Sequence, residues 1–413
     1  MIRSRYFLLY NVRQIIFKIA IMRLTKISYT EYRGDPQEWV LDEMSFDDRN
    51  LLVGKNASGK SRILNVVAGL ASQLNGSQLG LSGDYSCEFS SEFGTYLYQI
   101  SFRELLVTYE HLTIDGVVKM TRNDLGEGQI FTQNLGENGR DLGFQSPPNS
   151  LAAVSRRDSI QHPFLEPLHK WAAGLRHFRF GTNLGKDAFS VFIPGGPKID
   201  DRDQSQISGI FRNAERMYGT SFLDPLKADL ARVGYSVTNV RLGPPVSLRV
   251  HIPQGGPTEV FSLAVTETGM SAVVDQHSMS QGMYRVLSLL IWFNYFQLNG
   301  IAACCVIDDI GEGLDFERSC NLIELLREKS VSHNIQLIMS TNDKNVMNGV
   351  PLKEWAILVR TGSRVHVRNY ENSKEVFDQF RFTGLSNFSF FELDVINTPT
   401  SEKVDTPSSA GKA

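Results

Sequence analysis

The run Gly54-Lys55-Asn56-Ala57-Ser58-Gly59-Lys60-Ser61 follows apolar Leu51-Leu52-Val53 and leads into an amphipathic stretch from Ile63 to Ala71. Its G-x-x-x-x-G-K-S spacing is that of a phosphate-binding loop between a strand and a helix. Gly54 and Gly59 let the backbone turn sharply and aim N–H groups at an anion. Lys60 reaches β- and γ-phosphates, and the Ser61 hydroxyl is placed for Mg²⁺ at the positive end of the following helix. The expected ligand is ATP or GTP with magnesium. The four fixed positions coincide by accident in about one in a hundred chains of this length, so a strand before and a helix after make the match informative.

A second set of residues supplies the acids such a loop needs. Ala302-Ala303-Cys304-Cys305-Val306-Ile307-Asp308-Asp309 is a continuous apolar run ending in carboxylates, the pattern of a buried parallel strand whose tip enters a crevice. Asp308 is placed to hold Mg²⁺ through water, and Asp309 to orient an attacking water. The strand-like run 335–343 repeats the design and puts Thr341 and Asn342 at a neighbouring strand end. Met279-Ser280-Gln281-Gly282-Met283-Tyr284-Arg285 precedes an apolar helical stretch over 286–296.

In this order GKNASGKS (54–61), MSQGMYR (279–285), CCVIDDIGEGLD (304–315) and QLIMSTND (336–343) resemble the ABC-type ATPases of the SMC, RecF and OLD class. The resemblance covers nearly all of 22–390. It implies an α/β P-loop NTPase that binds ATP and Mg²⁺, with Asn56 and Ser58 as further members of the nucleotide loop. It also implies two copies packed head to tail: Ser280 and Gly282 of one close over ATP held by the other, with Asp315 in the seam and Asn342 at the switch position. Asp309 stands where the class usually has Glu, Asn342 replaces a His, and Ala57 replaces a Gly, so slow hydrolysis is expected. Glu312 is either a stand-in for the water-orienting acid or a loop carboxylate in the seam. The glutamine that usually joins the lobes is Gln129, Gln133 or Gln145, ranked equally. The class further suggests an ATPase sensor or scaffold subunit of a phage-defence-like system with a separately encoded effector. The alternatives are a RecF-type DNA-repair clamp and, less favoured, a transporter subunit.

Composition bounds these readings. The chain has 413 residues, 42% hydrophobic, a formal net charge of −3 and a pI near 6.3. That balance gives no global attraction to nucleic acid, so DNA contact needs a local patch. Arg156, Arg157, Lys170, Arg176, His177 and Arg179 could form one, although a solvated helix face is the simpler reading. The four cysteines show no metal spacing and read as reduced, buried thiols of a cytoplasmic protein. The eight histidines show no metal-binding spacing either, and no apolar run is long enough for a membrane span. Tyr32 and Trp39 could stack a base, but packing suits them better.

The expected organisation is an N-terminal extension (1–21), an ATPase lobe with phosphate loop and antiparallel β subdomain (22–123), an inserted loop, helical and β module (124–278), a second ATPase lobe (279–396) and a disordered tail (397–413). Strands are expected near 96–102, 105–112 and 117–121, with a turn at Asp115-Gly116. A loop is expected over 124–148 and a helix over 164–178. Helices follow over 207–218 and 225–233, with strands near 237–241, 246–252, 259–267, 355–359 and 364–370. Frequent prolines and the lack of a/d heptads in 62–279 argue against a coiled-coil arm. Only about 70 residues follow Asp343, too few for an appended nuclease domain.

Overall fold

Strands that read as unbroken apolar runs lie inside the molecule, and their alternate residues feed two separate cores, as a period of two requires. The computed structural model describes residues 22–133, 139–188, 190–191, 199–247, 260–300 and 304–393. In β3 (Arg49–Val53), Leu51 and Val53 join one core and Leu52 the other. In β15 (Cys304–Asp308), Cys305 and Ile307 face the first core while Cys304 and Val306 face the second.

One sheet of 14 strands carries most of the chain, in the order β10-β15-β16-β3-β17-β18-β2-β1-β4-β5-β6-β7-β8-β9. Its parallel part is β10 (Leu175–Arg179), β15, β16 (Gln336–Ser340), β3 and β17 (Trp355–Thr361). The strand β18 (Arg364–Asn369) turns back against β17 and runs parallel to β2 (Trp39–Ser45). Beyond it come β1 (Arg23–Glu31), β4 (Ser82–Ser91), β5 (Gly94–Arg103), β6 (Leu106–Ile114), β7 (Val117–Arg122), β8 (Glu127–Thr132) and β9 (Arg140–Gln145), all antiparallel. The antiparallel strands are thus a continuation of the ATPase sheet.

Helices cover both faces. The second core holds α1 (Lys60–Leu74), the short α2 (Ala152–Ser155) and α3 (Glu166–Gly174). The first core is built by α4 (Ile207–Tyr218), α5 (Thr220–Val233), α6 (Gln281–Asn299), α7 (Phe316–Ser332) and α8 (Lys344–Gly349), with α9 (Lys374–Arg381) and α10 (Asn387–Glu392) at its edge. A smaller sheet pairs β13 (Val260–Glu267) with β11 (Ser190–Val191), β12 (Val237–Gly243) and β14 (Val273–Asp275).

Several expectations need correction. Residues 124–148 are not a loop, because β8 and β9 form a hairpin whose mostly exposed side chains gave no apolar alternation. The helix expected over 164–178 ends at Gly174, and 175–179 is a strand, because pairing with β15 outweighs the helical spacing of its apolar residues. Two of the six residues of the expected basic patch are taken up in ion pairs. Arg157 is paired with Glu166, Arg176 is 3% exposed and paired with Asp201, and Arg176, His177 and Arg179 lie on a strand, so they are no solvated helix face either. Most of the strand expected over 246–252 lies outside the described residues, as do residues 1–21 and 397–413 and the first residues of the run 302–309. Cys87, Cys304 and Cys305 are buried free thiols, and Cys320 is half-buried.

Candidate functional site

The site forms where β3, β16 and β15 end side by side. Beyond β3 the chain makes a tight loop before α1. A Cβ on Gly54 would lie 2.4 Å from Ser58 Oγ and 3.1 Å from the Leu358 carbonyl, so only glycine fits there. Gly59 has φ 107° and caps α1, which has neither a side-chain cap nor an acidic residue in its first turn. That helix end therefore favours an anion. Lys60 is buried within the loop, with Nζ donating to the Gly54 carbonyl at 2.8 Å. Burial lowers its pKa, while Asp309 and Asp308 act in the opposite sense. Asn56 is exposed on the loop, and Ser58 is buried with its hydroxyl unpartnered. A Cβ on Gly59 would lie 3.4 Å from the Trp39 ring, which is 2% exposed with the Arg62 guanidinium 4.3 Å above it, so Trp39 is core, as expected.

The acids come from the neighbouring strand ends. Ser61 Oγ donates to Asp308 Oδ1 at 3.1 Å, and the Ser340 hydroxyl, at the end of β16, makes a short hydrogen bond to the same oxygen. The Ser340 oxygen also accepts from the Asp309 amide at 3.0 Å. Asp309 itself has φ 53°, which carries its side chain off the strand direction. Its carboxyl is held above the ordinary range, first by burial and then by Asp308 and Glu312. Glu312 converges on it: a Cβ on Gly181 would lie 2.6 Å from Glu312 Oε2 and 3.2 Å from Asp309 Oδ2. Asn342 is exposed just past β16, the strand between Asp308 and the loop. Its neighbour Thr341 is buried and donates to the Ile310 carbonyl at 2.8 Å.

At the sheet edge, β10 sets Arg179 level with Asp308, and the Phe180 amide donates to the Asp308 carbonyl at 3.0 Å. The strand β10 itself holds no glutamine, but the Gln204 side chain reaches its end and accepts from the Arg179 amide at 2.8 Å. Gln129 and Gln145 sit on β8 and β9 and Gln133 just past β8, at the opposite end of the strand order, so the structure brings none of the three ranked candidates to the strand ends beside Asp308. His177, half-buried on β10, has its pKa lowered to about 4 by desolvation and then by Arg179.

Ser280 and Gly282 lie elsewhere. Ser280 caps α6 by accepting from the Met283 amide at 3.2 Å. A Cβ on Gly282 would meet the Gly313 carbonyl at 2.8 Å, so this glycine permits a close approach to the loop after Glu312. An open groove of about 610 Å³ beside Ser280 is lined by Tyr235, Ser236, Glu267 and Arg318. Asp315 caps α7 through the Arg318 amide at 2.9 Å and pairs with the Arg318 side chain; that amide above all holds its pKa low. Among the described hydrogen bonds, none joins Ser280 or Gly282 to the phosphate loop of the same chain.

Three residues were given no role by the sequence reading. Ser340 is a polar residue closing a buried strand. Gly181 gives room to both carboxylates. Arg285, a buried cation in the first turn of an otherwise apolar helix, donates to the carbonyls of Gly181 and Glu312 at 2.8 Å each and of Thr182 at 3.3 Å. It ties α6 to both edges of the acid site. Only its charge in an apolar run signalled it.

The fold and these strand-end placements define a P-loop NTPase of ABC-ATPase build. No protein-family profile matches the chain, and no curated protein matches it. Among solved structures it is similar to an SMC head bound to the C-winged helix domain of ScpA, at 13% identity and a TM-score of 0.50, covering 85% of this chain and 99% of that one. An SMC head domain from Thermotoga maritima (12%, TM-score 0.40, 84% and 98% covered) and an Smc head domain with an extended coiled coil from Pyrococcus furiosus, bound to the C-terminal domain of ScpA (12%, 0.46, 87% and 100%), also match. At such identities the likeness is one of fold: the chain has the fold of an SMC head. Among the described residues, no helix is long and apolar enough to cross a membrane.

Proposed function

We propose that this chain binds ATP with Mg²⁺ and hydrolyses it slowly, as a switch that closes when two copies share nucleotide. The observation that carries this reading is the 3.1 Å bond between Ser61 and Asp308, because it brings the loop hydroxyl and the strand-end acid to one point beside buried Lys60. Ser61 and Asp308 would hold the metal, which when bound neutralises phosphate charge. Loop amides and Lys60 would hold the phosphates. Asp309 or Glu312 would orient water, and Arg285 would keep the loops carrying Gly181 and Glu312 in place. Asp309, Asn342 and Ala57 stand where the resembled class has Glu, His and Gly, which supports slow turnover.

The resemblance also supports a reading of partnership. Ser280, Gly282 and Asp315 would meet the nucleotide of a second copy across a two-fold seam. The SMC head noted above is bound to a domain of another protein, and we extend that to a separately encoded partner here, an effector in a phage-defence-like system. A DNA clamp is less supported, since Arg157 and Arg176 of the basic cluster it needs are taken up in ion pairs. Calorimetric titration of Mg-ATP into wild-type and Lys60→Ala protein tests the site. Micromolar binding in the first, lost in the second with an unchanged melting temperature, is the expected result; equal affinity would remove the assignment.

A further inference from the structure

The phosphate loop contains a residue in the wrong conformation for its type. Lys55-Asn56-Ala57-Ser58 is a turn closed by the Ser58 amide on the Lys55 carbonyl at 3.1 Å. Ala57, at its third position, has φ 64°, while Asn56 is not at positive φ. That is the type II pattern, which calls for glycine at this place. An alanine there clashes with its own backbone and is less stable left-handed than a glycine. Left to itself, the loop would lose the arrangement of its amides for part of the time.

Arg360 opposes that loss. Its Nη1 donates to the Ala57 carbonyl at 3.1 Å and its Nε to the Gly362 carbonyl at 2.9 Å. The guanidinium is therefore fixed on the β17–β18 hairpin, where Arg360 pairs with Val365, before it reaches the loop. The peptide between Ala57 and Ser58 is held from both sides, its C=O by Arg360 and its N–H by the Lys55 carbonyl. The amides that follow lead directly into Gly59 and buried Lys60. Arg360 also lines a cavity of about 470 Å³ with Lys55–Ser58 and Phe391.

We infer that Arg360 is a positioning residue that holds Ala57 left-handed and so preorganises the phosphate loop, a role that glycine at position 57 would make unnecessary. This rests on the nucleotide reading above. Arg360 is exposed at the end of its strand, so Arg360→Ala keeps the fold and its melting temperature. In that variant Mg-ATP affinity falls about tenfold, the scale on which ~1.4 kcal/mol acts. In Ala57→Gly the same arginine substitution changes affinity by no more than about twofold, because glycine reaches positive φ unaided. Hydrogen exchange of the Ser58 amide in nucleotide-free protein supplies a readout independent of ATP, and Arg360→Ala should speed it in the Ala57 background. Wild-type affinity and exchange in Arg360→Ala, or equal losses in both backgrounds, overturn the inference. A wild-type chain that ignores ATP while Arg360→Ala still speeds Ser58 exchange defeats the nucleotide reading and leaves the loop-holding role standing.

Discussion

Ser61 Oγ on the first turn of α1 lies 3.1 Å from Asp308 Oδ1 at the tip of β15, although 247 positions separate them in the chain. The contact exists because β16 inserts between β15 and β3 and brings three strand ends into one row. Ser340, buried at the end of that middle strand, bonds both to Asp308 and to the Asp309 amide. Ser340→Ala leaves the Asp308 carboxylate without one partner, and Mg-ATP affinity should fall about tenfold, as expected for a hydrogen bond to a charged group. Calorimetry of the variant checks this, and unchanged affinity would show that Asp308 is positioned without Ser340.

The two further carboxylates can be separated by turnover. Asp309→Asn should keep Mg-ATP affinity and slow hydrolysis about a hundredfold, the lower range for a positioned acid or base. Wild-type rates in Asp309→Asn, together with an inactive Glu312→Gln, would transfer the water-orienting role to Glu312. Phosphate release under saturating ATP is the measurement.

Asp309 also makes a prediction about pH. Its carboxyl is raised by burial, then by Asp308 and Glu312. The folded state therefore binds that proton more tightly than the unfolded chain. Its ionised form costs stability above the raised value, and the cost is relieved as pH falls through it. Asp309→Asn should melt above wild type at pH 7, with the gap closing as the pH is lowered. A gap that is constant with pH would contradict the burial of this charge.

Much of the site was legible locally and the rest depended on long-range pairing. The strand, loop and helix around Gly54–Ser61 announce themselves within about 20 residues, and the apolar run before Asp308 does likewise. Residues 164–178 carry apolar side chains at helical spacing throughout, and only pairing with β15 makes 175–179 a strand. Apart from Leu142, the β8–β9 hairpin carries polar residues or glycine on its exposed positions and looks like a loop. The Arg285 contacts to Gly181 and Glu312 join three segments that no sequence pattern connects.

Away from the nucleotide, Glu110 shows how the antiparallel strands anchor the chain that leaves them. Fully buried on β6, it accepts from the Ala152 and Ala153 amides at 2.6 and 2.9 Å and from Tyr98 at 2.8 Å, with Arg122 3.6 Å away. Glu110→Ala removes the counter-charge of buried Arg122, which keeps only the Ser150 and Pro147 carbonyls, and leaves two amides without their acceptor, and should cost about 3–5 kcal/mol. Denaturant unfolding checks this, and a loss below about 1 kcal/mol would mean the pocket readily admits water.

The central claim is that nucleotide closes two copies of this chain on each other. Ser280 caps α6 and has no described hydrogen bond to its own phosphate loop, so in this account it serves the nucleotide of a partner. Ligand held between subunits stabilises the assembled state by mass action. Light scattering of Asp309→Asn at micromolar concentration, with and without Mg-ATP, is the direct test, paired with Ser280→Arg in the same background. The account predicts a doubling of mass with Mg-ATP, absent in Ser280→Arg even though that variant still binds ATP. A monomer in Asp309→Asn under saturating Mg-ATP, or a Ser280→Arg protein that doubles as readily, would contradict it.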